Sequence, residues 1–128
     1  MKKKILVIDD DPDFARAVSL LLESQGYQVT TAGEGETGFQ EAQKETPNLV
    51  LLDVMMTHRT EGFDVVQKFH SDPRTQNIPI VVVTGISKET GVVFKYEPDE
   101  VWLPVKEVLE KPVSSEELLK VVEKLVGK

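Results

Sequence analysis

Short apolar runs alternate along this chain with longer stretches in which apolar residues recur every three or four positions. Lys4 to Ile8 is apolar and β-branched and stops at Asp9, which predicts a buried strand. A helix follows: Asp11 can accept hydrogen bonds from free first-turn amides, Pro12 is pre-set for the first helical position, and Phe14, Ala17, Val18, Leu21 and Leu22 recur at helical spacing up to Gly26. Tyr27 to Thr31 predicts a second strand. Glu36 to Lys44 predicts a modest helix with Phe39 and Ala42 on one face.

Pro47 precedes the strongest strand signal, Asn48 to Leu52, which ends at Asp53. Phe63 to His70 predicts a helix closed by Asp72 and Pro73. Pro79 then opens a fourth strand, Ile80 to Thr84, whose run of valines predicts burial on both faces. From Ser87 to Val105 no periodicity is sustained, because Gly91, Pro98 and Pro104 interrupt any helix. Val108 to Glu110 predicts a short fifth strand. Ser114 with Glu117 forms a capping-box pattern, and Leu118, Val121, Val122 and Leu125 give the last helix its apolar stripe.

Strands alternating with helices at this spacing imply a parallel α/β sheet covered on both faces, since parallel strands need right-handed crossovers. Ligands in such sheets bind beyond the carboxyl ends of the strands. Those ends carry Asp9 and Asp10, Asp53, Thr84 and Lys111. Each alone has an ordinary structural reading, such as a helix cap, a satisfied strand terminus or a solvated lysine. Three carboxylates brought together, however, repel by roughly 4 kcal/mol per pair at about 4 Å and an effective dielectric near 20. A hard divalent cation such as Mg2+ answers that repulsion, and Lys111 supplies further positive charge. The set suits phosphoryl chemistry, with an aspartate as nucleophile and metal, ammonium and hydroxyl around the phosphoryl oxygens.

Composition narrows the classes. The 128 residues, 40% hydrophobic, suffice for one domain over 1–128. With 22 acidic and 15 basic residues, the net charge of −7 argues against a protein that coats nucleic-acid phosphates. The absence of cysteine excludes a disulfide frame, a thiolate zinc site and a cysteine nucleophile. The apolar runs are too short to span a membrane, so no membrane insertion and a cytoplasmic location are expected.

The strings ILVIDDDP, LVLLDVMM, IPIVVVTG and LEKP, in this order and spacing, resemble the receiver domain of two-component response regulators over essentially the whole chain. The resemblance implies a flavodoxin-like (βα)5 doubly wound fold with strand order 2-1-3-4-5. It implies that Asp53 accepts a phosphoryl group from the histidine of a sensor kinase or phosphotransfer protein. Asp9, Asp10, Asp53 and the backbone carbonyl of Met55 would hold Mg2+, with Thr84 and Lys111 on the phosphoryl group. Phosphorylation would shift a two-state equilibrium read by a downstream partner protein, so the chain is expected to be a signalling protein rather than an enzyme. The final helix ends near Lys128, and a stand-alone receiver is expected.

Three features depart from the family pattern. Thr57 stands where a proline is usual and Gly62 comes one residue late, which lengthens the loop that carries His58 and Arg59; a solvated loop is the preferred reading. Val108 occupies the usual position of an aromatic switch, for which Trp102 or Tyr96 are the available substitutes. The segment 85–107 is long and carries Pro98 and Pro104, so an atypical fourth crossover is expected. These departures keep open a receiver-like scaffold that acts without phosphorylation. A Mg2+-dependent aspartyl-phosphate phosphotransferase is disfavoured by Met55, where such enzymes commonly place a second acid. Gly33 to Gly38 also matches G-x-G-x-x-G with Asp53 twenty residues after Gly33, but Glu34 and Glu36 would meet a pyrophosphate. Those glycines read as a turn and the start of a helix.

Overall fold

The computed structural model describes residues 2–53, 61–84, 106–111 and 113–127. In chain order these form β1 (Lys4–Ile8), α1 (Pro12–Ser24), β2 (Gln28–Ala32), α2 (Gly35–Glu45), β3 (Leu49–Asp53), α3 (Glu61–Ser71), β4 (Ile80–Thr84), β5 (Glu107–Glu110) and α4 (Ser115–Val126). All strands are parallel, in the order β2-β1-β3-β4-β5. This is the doubly wound order implied by the family resemblance. The stretch between β4 and β5, with Tyr96, Pro98, Trp102 and Pro104, lies outside the described residues, as do Met55, Thr57, His58 and Arg59.

The strands of the sheet interior are buried on both faces, so their residues sort by alternation into two cores. Leu6, Ile8, Val50, Leu52, Ile80 and Val82 face α2 and α3, meeting Ala42, Val65, Val66 and Phe69. Ile5, Val7, Leu49, Leu51, Val81, Val83 and Leu109 face the other way, meeting Ala15, Val18 and Leu22 of α1 and Leu118, Val121 and Val122 of α4. Burying each such side chain contributes about 1.5–3 kcal/mol, which is why the valine run of β4 has no polar interruption. β2 and β5 are the edge strands, and β2 is the more exposed at its start. Its Gln28 and Thr31 are exposed, and the apolar Tyr27 lies just before it rather than within it.

Local chemistry explains the boundaries. The Asp11 carboxylate accepts from the amides of Asp13 and Phe14 at 3.0 and 3.3 Å, and Pro12 takes the first helical position of α1. Gly26, at φ 93°, makes the turn into β2 that a side chain would strain. Ser114 accepts from the Glu117 amide at 3.1 Å and caps α4. Asp53, expected just after its strand, is the last residue of β3 itself and is paired in register with Val83.

One glycine of the G-x-G-x-x-G stretch has a packing role. A Cβ built on Gly38 would lie 2.6 Å from Cγ1 and 3.2 Å from Cγ2 of Ile8, and closer still to its Cδ1. Gly38 therefore lets α2 lie directly on β1, one residue before Asp9. None of the described helices is long and apolar enough to cross a membrane.

Candidate functional site

The parallel register brings the carboxyl ends of β1, β3, β4 and β5 to one edge. Ala32, Ile8, Leu52, Val82 and Val108 form a row across the sheet. One residue further along come Asp9 and Asp53, and one further again the paired Thr84 and Glu110. Lys111 follows β5, and its long side chain reaches back over the edge to the acids of the central strands.

The run Asp9-Asp10-Asp11 divides three ways. Asp9 is buried, its backbone N–H donating to the Ala32 carbonyl at 3.0 Å and its Oδ1 accepting from the Asp11 amide at 2.9 Å. Asp10 is exposed beside it. Asp11 alone serves as the helix cap, so the ordinary reading of this run applies to one of its three residues.

Asp53 is buried at the end of β3, 5% exposed, against 4% for Asp9. Two carboxylates so far removed from water need a counter-charge. The Lys111 ammonium provides it, donating to Asp9 Oδ2 at 2.9 Å and to Asp53 Oδ2 at 3.4 Å. Desolvation pulls the pKa of this half-buried ammonium down, but hydrogen bonding to Asp9 and the charges of Asp53 and Asp9 outweigh it and leave it above the usual lysine value. The Phe14 ring, from the first turn of α1, lies 4.2 Å from the same nitrogen. In the sequence Phe14 shows only as one member of an apolar stripe.

Asp9, Asp10 and Asp53 each offer an oxygen, and these lie within 4.8 Å of one another. Three carboxylate oxygens gathered this way are the donor type that Mg2+ prefers, and closing on the ion would bring them to the roughly 2.9 Å spacing of adjacent octahedral ligands. Exposed Asp10 leaves one side open to the water ligands that Mg2+ keeps. Thus Asp9, Asp10, Asp53 and Lys111 converge as expected, Thr84 ends the adjacent strand, and Met55 lies outside the described residues.

The family described as response regulator receiver domain matches residues 5–123. Protein PilH of Pseudomonas aeruginosa is 34% identical over 122 residues, which are 93% of each chain. Other relatives are longer proteins, the matched segment making up 15% of one and 46% of another. Among solved structures, chemotaxis protein CheY4 of Vibrio cholerae superposes with a TM-score of 0.80 at 25% identity, covering 98% of this chain and 99% of that one. The receiver domain of sensor histidine kinase PA1611 from P. aeruginosa, described with a magnesium ion coordinated in its active-site cleft, superposes with a TM-score of 0.80 at 20% identity over 100% of both chains. Sheet order, acidic edge and matched span agree, and the chain belongs to the response regulator receiver domains of two-component signalling.

Proposed function

We propose that Asp53 is a phosphoacceptor. The observation that carries this reading is the placement of its buried carboxylate at the end of β3, within reach of the Lys111 ammonium and beside Asp9 and Asp10. A carboxylate oxygen of Asp53 attacks the phosphorus of a phosphohistidine on a sensor kinase or phosphotransfer protein. The P–N bond breaks, the imidazole keeps the electron pair and takes up a proton, and an aspartyl phosphate remains on Asp53. Asp9, Asp10, Asp53 and the Met55 carbonyl would hold Mg2+, which when bound would supply positive charge to the phosphoryl oxygens. Its presence in the cleft of the PA1611 receiver domain is consistent with that assignment.

The chain's own residues divide the remaining work. Lys111 pairs with a phosphoryl oxygen, exchanging one or both of its present carboxylate contacts for it. Thr84, at the end of β4, is assigned the hydroxyl that hydrogen-bonds a second oxygen. Phosphorylation adds about 1.5 to 2 negative charges to a cluster of three carboxylates and one ammonium, which biases the segments around the edge toward a second arrangement that a partner protein reads. The reading is tested with acetyl phosphate or beryllofluoride in the presence and absence of Mg2+, on wild type and Asp53→Ala, followed by intact mass and by the fluorescence of Trp102. A magnesium-dependent adduct in wild type and none in D53A is expected. A wild type without adduct or fluorescence response returns the chain to the scaffold alternative.

A further inference from the structure

Lys111 is held from two sides. Below it are the Asp9 and Asp53 oxygens at 2.9 and 3.4 Å; on another side is the Phe14 ring, its centroid 4.2 Å from Nζ. We propose that Phe14 is a positioning residue that holds the Lys111 ammonium over the carboxylate pair through its ring face, and so sets how readily the site accepts a phosphoryl group. The inference rests on the phosphoacceptor reading for its kinetic consequence but not for its geometry.

Three observations support it. An ammonium within about 6 Å of a ring centroid is attracted by the ring quadrupole, and more strongly where water is partly excluded, as it is around a side chain only 21% exposed. The ring is itself anchored: Phe14 packs on the core formed by α1 and α4, and its amide donates to the Asp11 cap at 3.3 Å. The same helix start fixes Asp9, because the Asp11 amide donates to Asp9 Oδ1 at 2.9 Å. The first turn of α1 thus sets both the acid and the cation of one ion pair.

An aliphatic side chain could fill this space without attracting the ammonium. Without the ring, the flexible lysine stem regains rotamers in which the ammonium leaves the edge for water. Phe14→Leu is therefore expected to slow phosphorylation by acetyl phosphate about two- to thirtyfold, the span that cation–π attraction gives.

The test replaces Phe14 with 4-fluoro-, 3,5-difluoro- and pentafluorophenylalanine, which keep the ring's approximate shape while draining its negative face, alongside F14L and F14Y. Two readouts are taken on each folded variant. The first is the ring-current displacement of the Lys111 ε-methylene protons by NMR, present in wild type and F14Y and abolished in F14L. The second is the Mg2+-dependent rate of adduct formation, falling stepwise with fluorination and retained within about twofold in F14Y. A Lys111 signal at its random-coil position in wild type overturns the proposal, as does a rate indifferent to fluorination while the adduct still forms. If wild type forms no adduct, the phosphoacceptor reading fails instead, and the NMR displacement across the fluorinated series still decides whether the ring holds the ammonium.

Discussion

Replacing Lys111 with methionine removes the ammonium while keeping most of the stem's volume, which isolates its electrostatic role. At 2.9 and 3.4 Å, and with an effective dielectric near 20, each contact is worth about 5 kcal/mol of Coulomb attraction before desolvation is counted. Desolvation of the half-buried ammonium cancels much of that. What K111M exposes is the other half of the balance: the Asp9 and Asp53 side chains, 2% and 6% exposed, lose the ammonium that pairs with both of them. Stranding a buried charge this way costs about 3–5 kcal/mol in general, and the 21% exposure of Lys111 lowers the expectation to about 2–4 kcal/mol. With a mid-range urea slope of about 2 kcal/mol per molar, the unfolding midpoint drops by roughly 1–2 M in magnesium-free buffer. Mg2+ should restore much of the loss, and so should K111M/D53N, in which one of the stranded charges is gone. A K111M variant within about 0.5 kcal/mol of wild type without magnesium would refute the reasoning, because the two acids would then be stable without this lysine.

Three further outcomes are expected. Gly38→Ala should lose about 1–2 kcal/mol by urea unfolding: the new methyl overlaps fully buried, β-branched Ile8, and overpacking outweighs the roughly 1 kcal/mol of helix propensity gained. Because Ile8 precedes Asp9, the same variant should bind Mg2+ more weakly. Tyr27→Phe removes the hydrogen bond from the phenol to the Gly127 carbonyl at 2.9 Å and should cost about 1 kcal/mol at neutral pH. Burial, assisted by the charge of Glu123, raises the Tyr27 pKa, and that of Lys111 is raised as well. A group whose pKa is higher folded than unfolded stabilises fully below its unfolded value, so this contribution is lost as pH rises from about 10 through the folded values. The urea midpoint should therefore fall as pH rises above about 10, more steeply in wild type than in Y27F.

The sequence was most informative where one residue type had one physical option. Continuous valines in β4 could only be buried on both faces, and Asp11-Pro12 could only open a helix. The site was legible for a related reason: parallel strands must present their carboxyl ends together, so Asp9, Asp53 and Lys111 met without any need to know their distances. Boundaries were less legible. Tyr27 has strand chemistry, yet its ring is committed to the core and its hydroxyl to Gly127, and pairing begins at Gln28. Contacts through space left no pattern at all. Gly38 resembled part of a phosphate loop because close packing on Ile8 and close approach to a ligand ask for the same missing side chain. Phe14 likewise carried the spacing of a core residue, and only the fold sets its ring beside a lysine nearly a hundred residues later.

The central claim is that the carboxylate of Asp53, and no other acid at the edge, takes the phosphoryl group. Treating the protein with acetyl phosphate and Mg2+, reducing the acyl phosphate with borohydride and mapping the product by peptide mass spectrometry reads this directly. The expected result is homoserine at position 53 alone, dependent on Mg2+ and retained at reduced yield in F14L. Homoserine at position 9 or 10, or no reduced residue in a fully folded sample, would contradict the assignment.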